Sequence, residues 1–289
     1  MDKPLKSIVD STHKAYDSLS ARERLVADLV LEAPGEISMY PASELARLAG
    51  VSNSTVTRFV QRTGFDSYEE MRIAAREARN WGSPLFQASR PAPRPDGEPD
   101  AGGDPIAAFA EHETAVLQRS LADLTAARID EITTALLDAR NLGFMGFRNS
   151  HYFAGYARWQ FIQFRQRTRL IPGPGETVAE RIADLGPEDV VFVVGIRRIV
   201  GKLTRYLEAL SRRGVRVLLI TDPSARVTPA YASWTITCPV ETPHVFDSYS
   251  GVLAVIRLLA FETFRKSGKP GREYLERIET QHEVLAEFE

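Results

Sequence analysis

Ser52, Asn53, Ser54, Thr55 and Thr57 set short hydrogen-bonding side chains almost side by side, and Arg58, Gln61 and Arg62 follow. Hydroxyl and amide groups at this density can meet base edges or phosphate oxygens, and guanidinium groups neutralise phosphate. Val56, Phe59 and Val60 are interleaved at helical spacing, so one helix would bury them and keep polar groups on its other side. From Leu45 to Phe65 the chain carries Arg47, Arg58 and Arg62 and no acid. The chain as a whole has a net charge of -2, so it offers no global field for nucleic acid; the local excess is what phosphate contact requires.

A second set of residues suits a small anion. "GFRNSH" at 146–151 follows one apolar run and "GIRRIVGK" at 195–202 follows another. Asn149 and Ser150 would open a helix, whose free N–H groups and dipole favour negative charge. An arginine can grip phosphate or carboxylate through two parallel hydrogen bonds. The expected effector site therefore comprises Arg148, Asn149, Ser150 and one of Arg197 or Arg198. Ser248, in "FDSYSG" at 246–251, either approaches that site or caps the helix after it.

No catalytic residue, metal site or cofactor is assigned. His13, His112, His151, His244 and His282 lack metal-ligand spacing, and no acid or cysteine cluster completes a site. Glu176, Glu180, His151 and His244 form no recognisable acid–base pair. Cys238 is the single cysteine, which excludes an internal disulfide framework and fits a reducing cytoplasm. The first twenty residues lack the apolar core of a signal peptide, and the longest apolar run, "VVFVVGI", is too short to span a bilayer. A soluble cytoplasmic protein without membrane contact is expected.

These groups need scaffolds to position them. Residues 82–105 read "GSPLFQASRPAPRPDGEPDAGGDP", rich in Gly and Pro and without apolar periodicity. Such a stretch cannot bury enough surface to offset its ordering entropy. It divides the chain into a first domain at 1–80, a linker at 81–105 and a second domain at 106–289.

The first domain reads as all-α. "SARE" at Ser20 to Glu23 has capping-box spacing. Pro41 suits a first helical position, Gly50 can end that helix in the left-handed conformation, and Ser52 can cap the next. Two short helices about a glycine turn make a helix-turn-helix, with Val56 filling the space between them. Gly64 ends the second, and a fourth helix runs from about Ser67 to Asn80.

The second domain alternates short runs apolar on both faces with helical stretches. The runs are 141–147, 168–172, 189–196, 215–222 and 232–238. This predicts a five-stranded parallel sheet in a doubly wound α/β fold, closed by helices over about Asp247 to Ser267 and Arg272 to Phe288.

"ASELARLAGVSNSTVTRFVQRTGFDSYEEMR" resembles the N-terminal DNA-binding domain of RpiR-type bacterial transcriptional regulators, and the likeness continues through Gly64, Phe65 and Tyr68. In that family the next domain is a SIS (sugar isomerase) domain, an α/β fold that commonly binds phosphosugars. The resemblance therefore implies a SIS-like second domain that binds a carbohydrate derivative. Ser150 roughly matches the serine that SIS domains place after the first strand. The third-strand loop departs from the family's Ser/Thr-rich pattern: Gly195-Ile196-Arg197-Arg198 stands there instead.

The leading expectation is thus a regulator of bacterial catabolic genes. It would bind a double-stranded DNA operator and a small anionic effector, as a homodimer or higher homo-oligomer aided by Leu275, Ile278 and Leu285. The alternatives are a sugar-phosphate isomerase-like enzyme, which the N-terminal domain leaves unexplained, and an interaction protein that does not bind DNA.

Overall fold

The computed structural model describes residues 7–32, 34–78, 104–197, 199, 202–242 and 246–288. The expected linker lies outside the described residues apart from 104 and 105. The first region is a helical cluster: α1 (Ile8–Ala15), α2 (Ala21–Glu32), α3 (Ala42–Leu48), α4 (Asn53–Arg62) and α5 (Tyr68–Glu77). Ile8, Val26, Val30, Leu45, Phe59 and Met71 form its core and are essentially inaccessible to water.

Local chemistry sets the helix ends. The Ser20–Glu23 capping box forms, with Ser20 N donating to Glu23 at 2.8 Å and Glu23 N donating back to Ser20 Oγ at 3.4 Å. Gly50 takes φ +65°, and Val51 N reaches back to Ala46 O at 2.9 Å. A Cβ at Gly50 would meet no atom within 4 Å, so glycine is needed there for its conformation rather than for space. Ser52 caps α4 by accepting from Thr55 N. Pro41, expected as the first helical residue, stands one position earlier, at the N-cap of α3.

The α/β region opens with α6 (Pro105–Leu121) and α7 (Ala126–Asp138). There follow β1 (Leu142–Gly146), α8 (Asn149–Ile162), β2 (Thr168–Ile171), the short α9 (Val178–Ile182), β3 (Val190–Gly195), α10 (Lys202–Arg212), β4 (Arg216–Thr221) and β5 (Trp234–Thr237). All neighbouring strands are parallel, in the order β2-β1-β3-β4-β5, as the apolar runs required. Phe144, Phe192, Leu218 and Ile236 face α7, α8 and the last helix, whereas Met145, Val191, Val217 and Leu219 face α9 and α10. Both faces are therefore covered, which is the condition a parallel sheet must meet.

The last helix, α11 (Ser250–Leu285), begins three residues after the expected Asp247. It is broken at Gly268, whose φ and ψ of 60° and -135° are not helical, two residues before Pro270. The expected pair of helices thus exists as two arms about a kink.

The amino end of the sheet is closed by one buried carboxylate. Asp189 has no exposed surface. It accepts two hydrogen bonds from Arg140, at 3.1 and 2.6 Å, and others from Asn141 and from Gly186 N. Burial alone would raise its pKa, but the Arg140 guanidinium and the amide donors outweigh burial and bring it to about 2. The folded value lies below the ordinary one, so this stabilisation is present above about pH 4 and is lost as pH falls through 2. Asp189→Asn should cost about 2 to 3 kcal/mol at pH 7 in urea unfolding. The difference from wild type should shrink between pH 4 and pH 2; a constant difference there would show that the charge of Asp189 is irrelevant.

Candidate functional site

Helix α4 buries Val56, Phe59 and Val60 and turns Ser52, Asn53, Ser54, Thr57, Arg58, Gln61 and Arg62 to solvent. Thr55 does not join them. It is 1% exposed, its hydroxyl lies 3.0 Å from Ser52 Oγ, and it belongs to the cap rather than to the outer face. The reason is helical phase: Thr55 precedes Phe59 by four residues and shares its side of the helix.

The face free of acids in sequence acquires one from α2. Glu23, buried at 2% exposure, lies 3.9 Å from Arg58 and 3.6 Å from Arg62. Arg62 also donates to Ser18 O at 2.6 Å. Burial raises the Glu23 pKa, but the Ser20 hydrogen bonds and the two arginines lower it further than burial raises it, so the carboxylate stays ionised. Arg47 pairs with Glu44 at 2.6 Å. The cationic face is therefore balanced locally, and its arginines are held in defined positions.

At the carboxyl end of the sheet, the β1–α8 and β3–α10 loops touch. Ile196 N donates to Ser150 Oγ at 3.3 Å, and Thr221 Oγ1 donates to Gly195 O at 2.6 Å. A Cβ on Gly146 would lie 2.2 Å from Ser150 O, so only glycine admits this first turn of α8. Arg148, at φ +55°, is exposed, as is Asn149, whose side chain bonds Tyr249. Ser150 is 7% exposed and uses its hydroxyl to join the loops.

Arg197 departs from the expected role. Its side chain is 6% exposed and is held by Asp247 at 2.5 Å and Glu241 at 3.8 Å. The expected free anion receptor is thus a buried ion pair between two strand-end loops. Burial raises the pKa of Asp247, and Arg197 opposes that rise. Ser248 is likewise engaged: it is 5% exposed and donates to Glu113 of α6 at 2.7 Å, while Ser250 N donates to it. The N-cap of α11 is Tyr249, so Ser248 is neither that cap nor part of an open site. Arg198 lies outside the described residues. The site thus brings together Asn149, Ser150 and Arg197, and adds Asp247, Tyr249 and Asp222.

Asp222 was legible as a buried strand's terminal acid at the ligand-bearing end of the sheet. Among the described residues no group of three His, Cys, Asp or Glu gathers to hold a metal, and no helix is long and apolar enough to cross a membrane.

A two-helix reading unit and a doubly wound parallel domain thus define a helix-turn-helix protein with an α/β domain of SIS type. Residues 7–79 match the helix-turn-helix domain of the rpiR family, and residues 135–261 match the SIS domain. The chain thus carries an rpiR-family helix-turn-helix domain and a SIS domain. The HTH-type transcriptional regulator HexR of Pseudomonas aeruginosa is 23% identical over 291 residues, covering 95% of each chain. The bifunctional protein glk of Burkholderia thailandensis is 25% identical over 253 residues, 88% of this chain, and the chain spans 38% of that relative's length. The fold is similar to that of the Vibrio vulnificus NanR protein complexed with ManNAc-6P, with TM-score 0.59, 17% identity, and coverage of 96% of this chain and 98% of that one. It is also similar to the sugar isomerase domain of an RpiR transcription factor from Sphaerobacter thermophilus, with TM-score 0.56 and 20% identity over 61% of this chain and 98% of that one.

Removing Arg197 leaves Asp247 buried without its nearest cation. Arg197→Ala should therefore cost about 3 kcal/mol in denaturant unfolding, and Arg197→Ala with Asp247→Asn should recover much of that loss. Additive losses in the two single variants would mean that the pair is not coupled.

Proposed function

We propose that this chain is a transcriptional regulator that binds duplex DNA through α3 and α4 and senses a small anionic metabolite of the sugar-phosphate class in its SIS domain. One observation carries the reading: α4 exposes Asn53, Ser54, Thr57 and Gln61 beside Arg58 and Arg62 while its other side is locked into the core. A rigid helix with short polar groups and two cations on one face is suited to the major groove. The relative HexR is named as an HTH-type transcriptional regulator, and NanR was solved with ManNAc-6P; both support the same assignment here.

For the effector, Arg148 and Asn149 at the start of α8 offer an exposed cation and helix N–H groups to a phosphate or carboxylate. Arg197 would contribute only by exchanging Asp247 for the ligand. The residues 1–80 form the reading domain, 81–105 the linker and 106–289 the sensing and self-association domain. Exposed Trp159 and Phe261, with a groove of about 500 Å³ bordered by Phe164, Phe264 and Leu275, favour a homodimer through the α/β domain. A dimer would double the cationic face and place two α4 helices on half-sites in cytoplasmic DNA. Genes for sugar catabolism are the proposed targets.

Fluorescence anisotropy with DNA flanking the chain's own gene tests the reading. Arg58→Ala and Arg62→Ala should each weaken binding roughly tenfold at 0.1 M salt and reduce the salt slope by about 0.9 per lost phosphate contact. Equal affinity in wild type and the double variant would remove α4 from the DNA. A thermal-shift panel of sugar phosphates and sugar acids tests the other half: at least one should raise Tm, and a flat panel would remove this effector class.

A further inference from the structure

A buried acid of the helical domain is seated in the α/β domain. Glu32 stands in the last turn of α2, where the helix dipole disfavours negative charge. It is only 7% exposed. Among the described residues its hydrogen bonds all come from the other domain, about two hundred residues away. Arg226 N donates to Oε2 at 3.3 Å, Val227 N donates to the same oxygen, and Thr228 N lies 3.3 Å from Oε1 and 3.4 Å from Oε2. These three consecutive amides open the 3-10 turn Thr228–Tyr231, so a carboxylate from one domain caps a turn of the other. Beside it the Arg226 guanidinium lies 5.7 Å from the Tyr16 ring centroid, and Tyr16 donates to Asp28 at 2.7 Å.

The same turn borders a cavity. A space of about 400 Å³ is walled by His13 and Leu31 from the helical domain and by Arg197, Asp222, Ser224 and Arg226 from the α/β domain. Asp222 is 3% exposed and fixes the turn by accepting from Ser224 N at 2.9 Å; its other carboxylate oxygen is buried and makes no hydrogen bond among the described residues. Residues 222–228 therefore join the end of β4, the cavity wall and the seat of Glu32 in one short segment. A ligand that engaged Asp222 or Arg226 would act on the amides that hold Glu32.

We propose that Glu32 and the amides of Arg226, Val227 and Thr228 form a latch that fixes α4 relative to the α/β domain, and that a ligand in the adjoining cavity changes the latch through residues 222–228. Its effect on DNA rests on the regulator reading; its existence does not. With the latch closed, each dimer holds its two α4 helices at one separation and prefers one half-site spacing. With it open, only less directional contacts such as Arg226 over the Tyr16 ring remain beside the chain connection, and that preference fades. A ligand shifts the balance only by binding one of these states more tightly.

Amide hydrogen exchange on the full chain tests this, comparing wild type with Glu32→Ala and Glu32→Gln. Exchange at Arg226–Thr228 should quicken at least tenfold in Glu32→Ala and less in Glu32→Gln, while β3 and β4 keep their protection. Should Glu32→Ala lose that core protection, Glu32→Gln carries the test, with an expected quickening of about threefold confined to the turn. On duplexes whose half-sites lie one turn or one and a half turns apart, wild type should favour one spacing about tenfold and the open variant should lose that preference. Exchange at the turn equal to wild type, or faster exchange with the spacing preference intact, overturns the latch. Wild type that binds no duplex overturns the regulator reading instead and leaves the exchange result to judge the latch.

Discussion

Five strands running the same way can be joined only by crossovers, and the crossovers bury both faces of the sheet. That constraint leaves the strand ends as the places where polar groups from several loops can converge. The two ends are put to different uses. At the amino end Asp189 gathers Arg140, Asn141 and Gly186 into one buried network. At the carboxyl end Ser150, Thr221 and the Arg197–Asp247 pair tie neighbouring loops together through single contacts. Each of those contacts is one that an incoming anion or hydroxyl could replace, so the stable end is a foundation and the replaceable end is where the proposed effector site lies.

The helical domain follows the same economy of charge. Each of the three arginines between Leu45 and Phe65 has an acid within 4 Å: Glu44 for Arg47, and Glu23 for both Arg58 and Arg62. Glu23 is buried and ionised, and it orients the two guanidinium groups before any ligand arrives. DNA phosphate would then compete with a carboxylate for cations already placed, which lowers the net gain per contact and raises the dependence on geometry. A face of this kind binds weakly as one copy and gains most from being presented twice at a fixed separation.

Much of this was written in local sequence. The five apolar runs became the five strands, Gly50 and Gly64 took the left-handed turns, and Ser52 capped α4. These features depend on neighbours within a few residues, so periodicity and capping rules reach them. Thr55 departs from the expected outer face because its phase relative to Phe59 puts it on the buried side of α4. The partners of Arg197 were beyond such rules, because Asp247 lies fifty residues away and meets it only when the loops after β3 and β5 fold over the sheet. Glu23 reads from sequence as the acid of a capping box, and nothing local marks Glu32. Their burial is a tertiary fact, set by α4 on one side and by the turn at Thr228 on the other.

Glu32 is the more informative of the two, because its own helix disfavours it. An acid in the last turn of a helix faces the negative end of the dipole, and burial adds a desolvation cost. An apolar residue there would pack against Val227 without either penalty, yet would fit many relative orientations of the two domains. A carboxylate that must collect three amides fits one. The contact therefore favours directional specificity over maximal stability. A tight apolar interface would make the two domains a single rigid unit, unable to report on a ligand. A weak but directional one lets a modest difference in ligand affinity decide where α4 points.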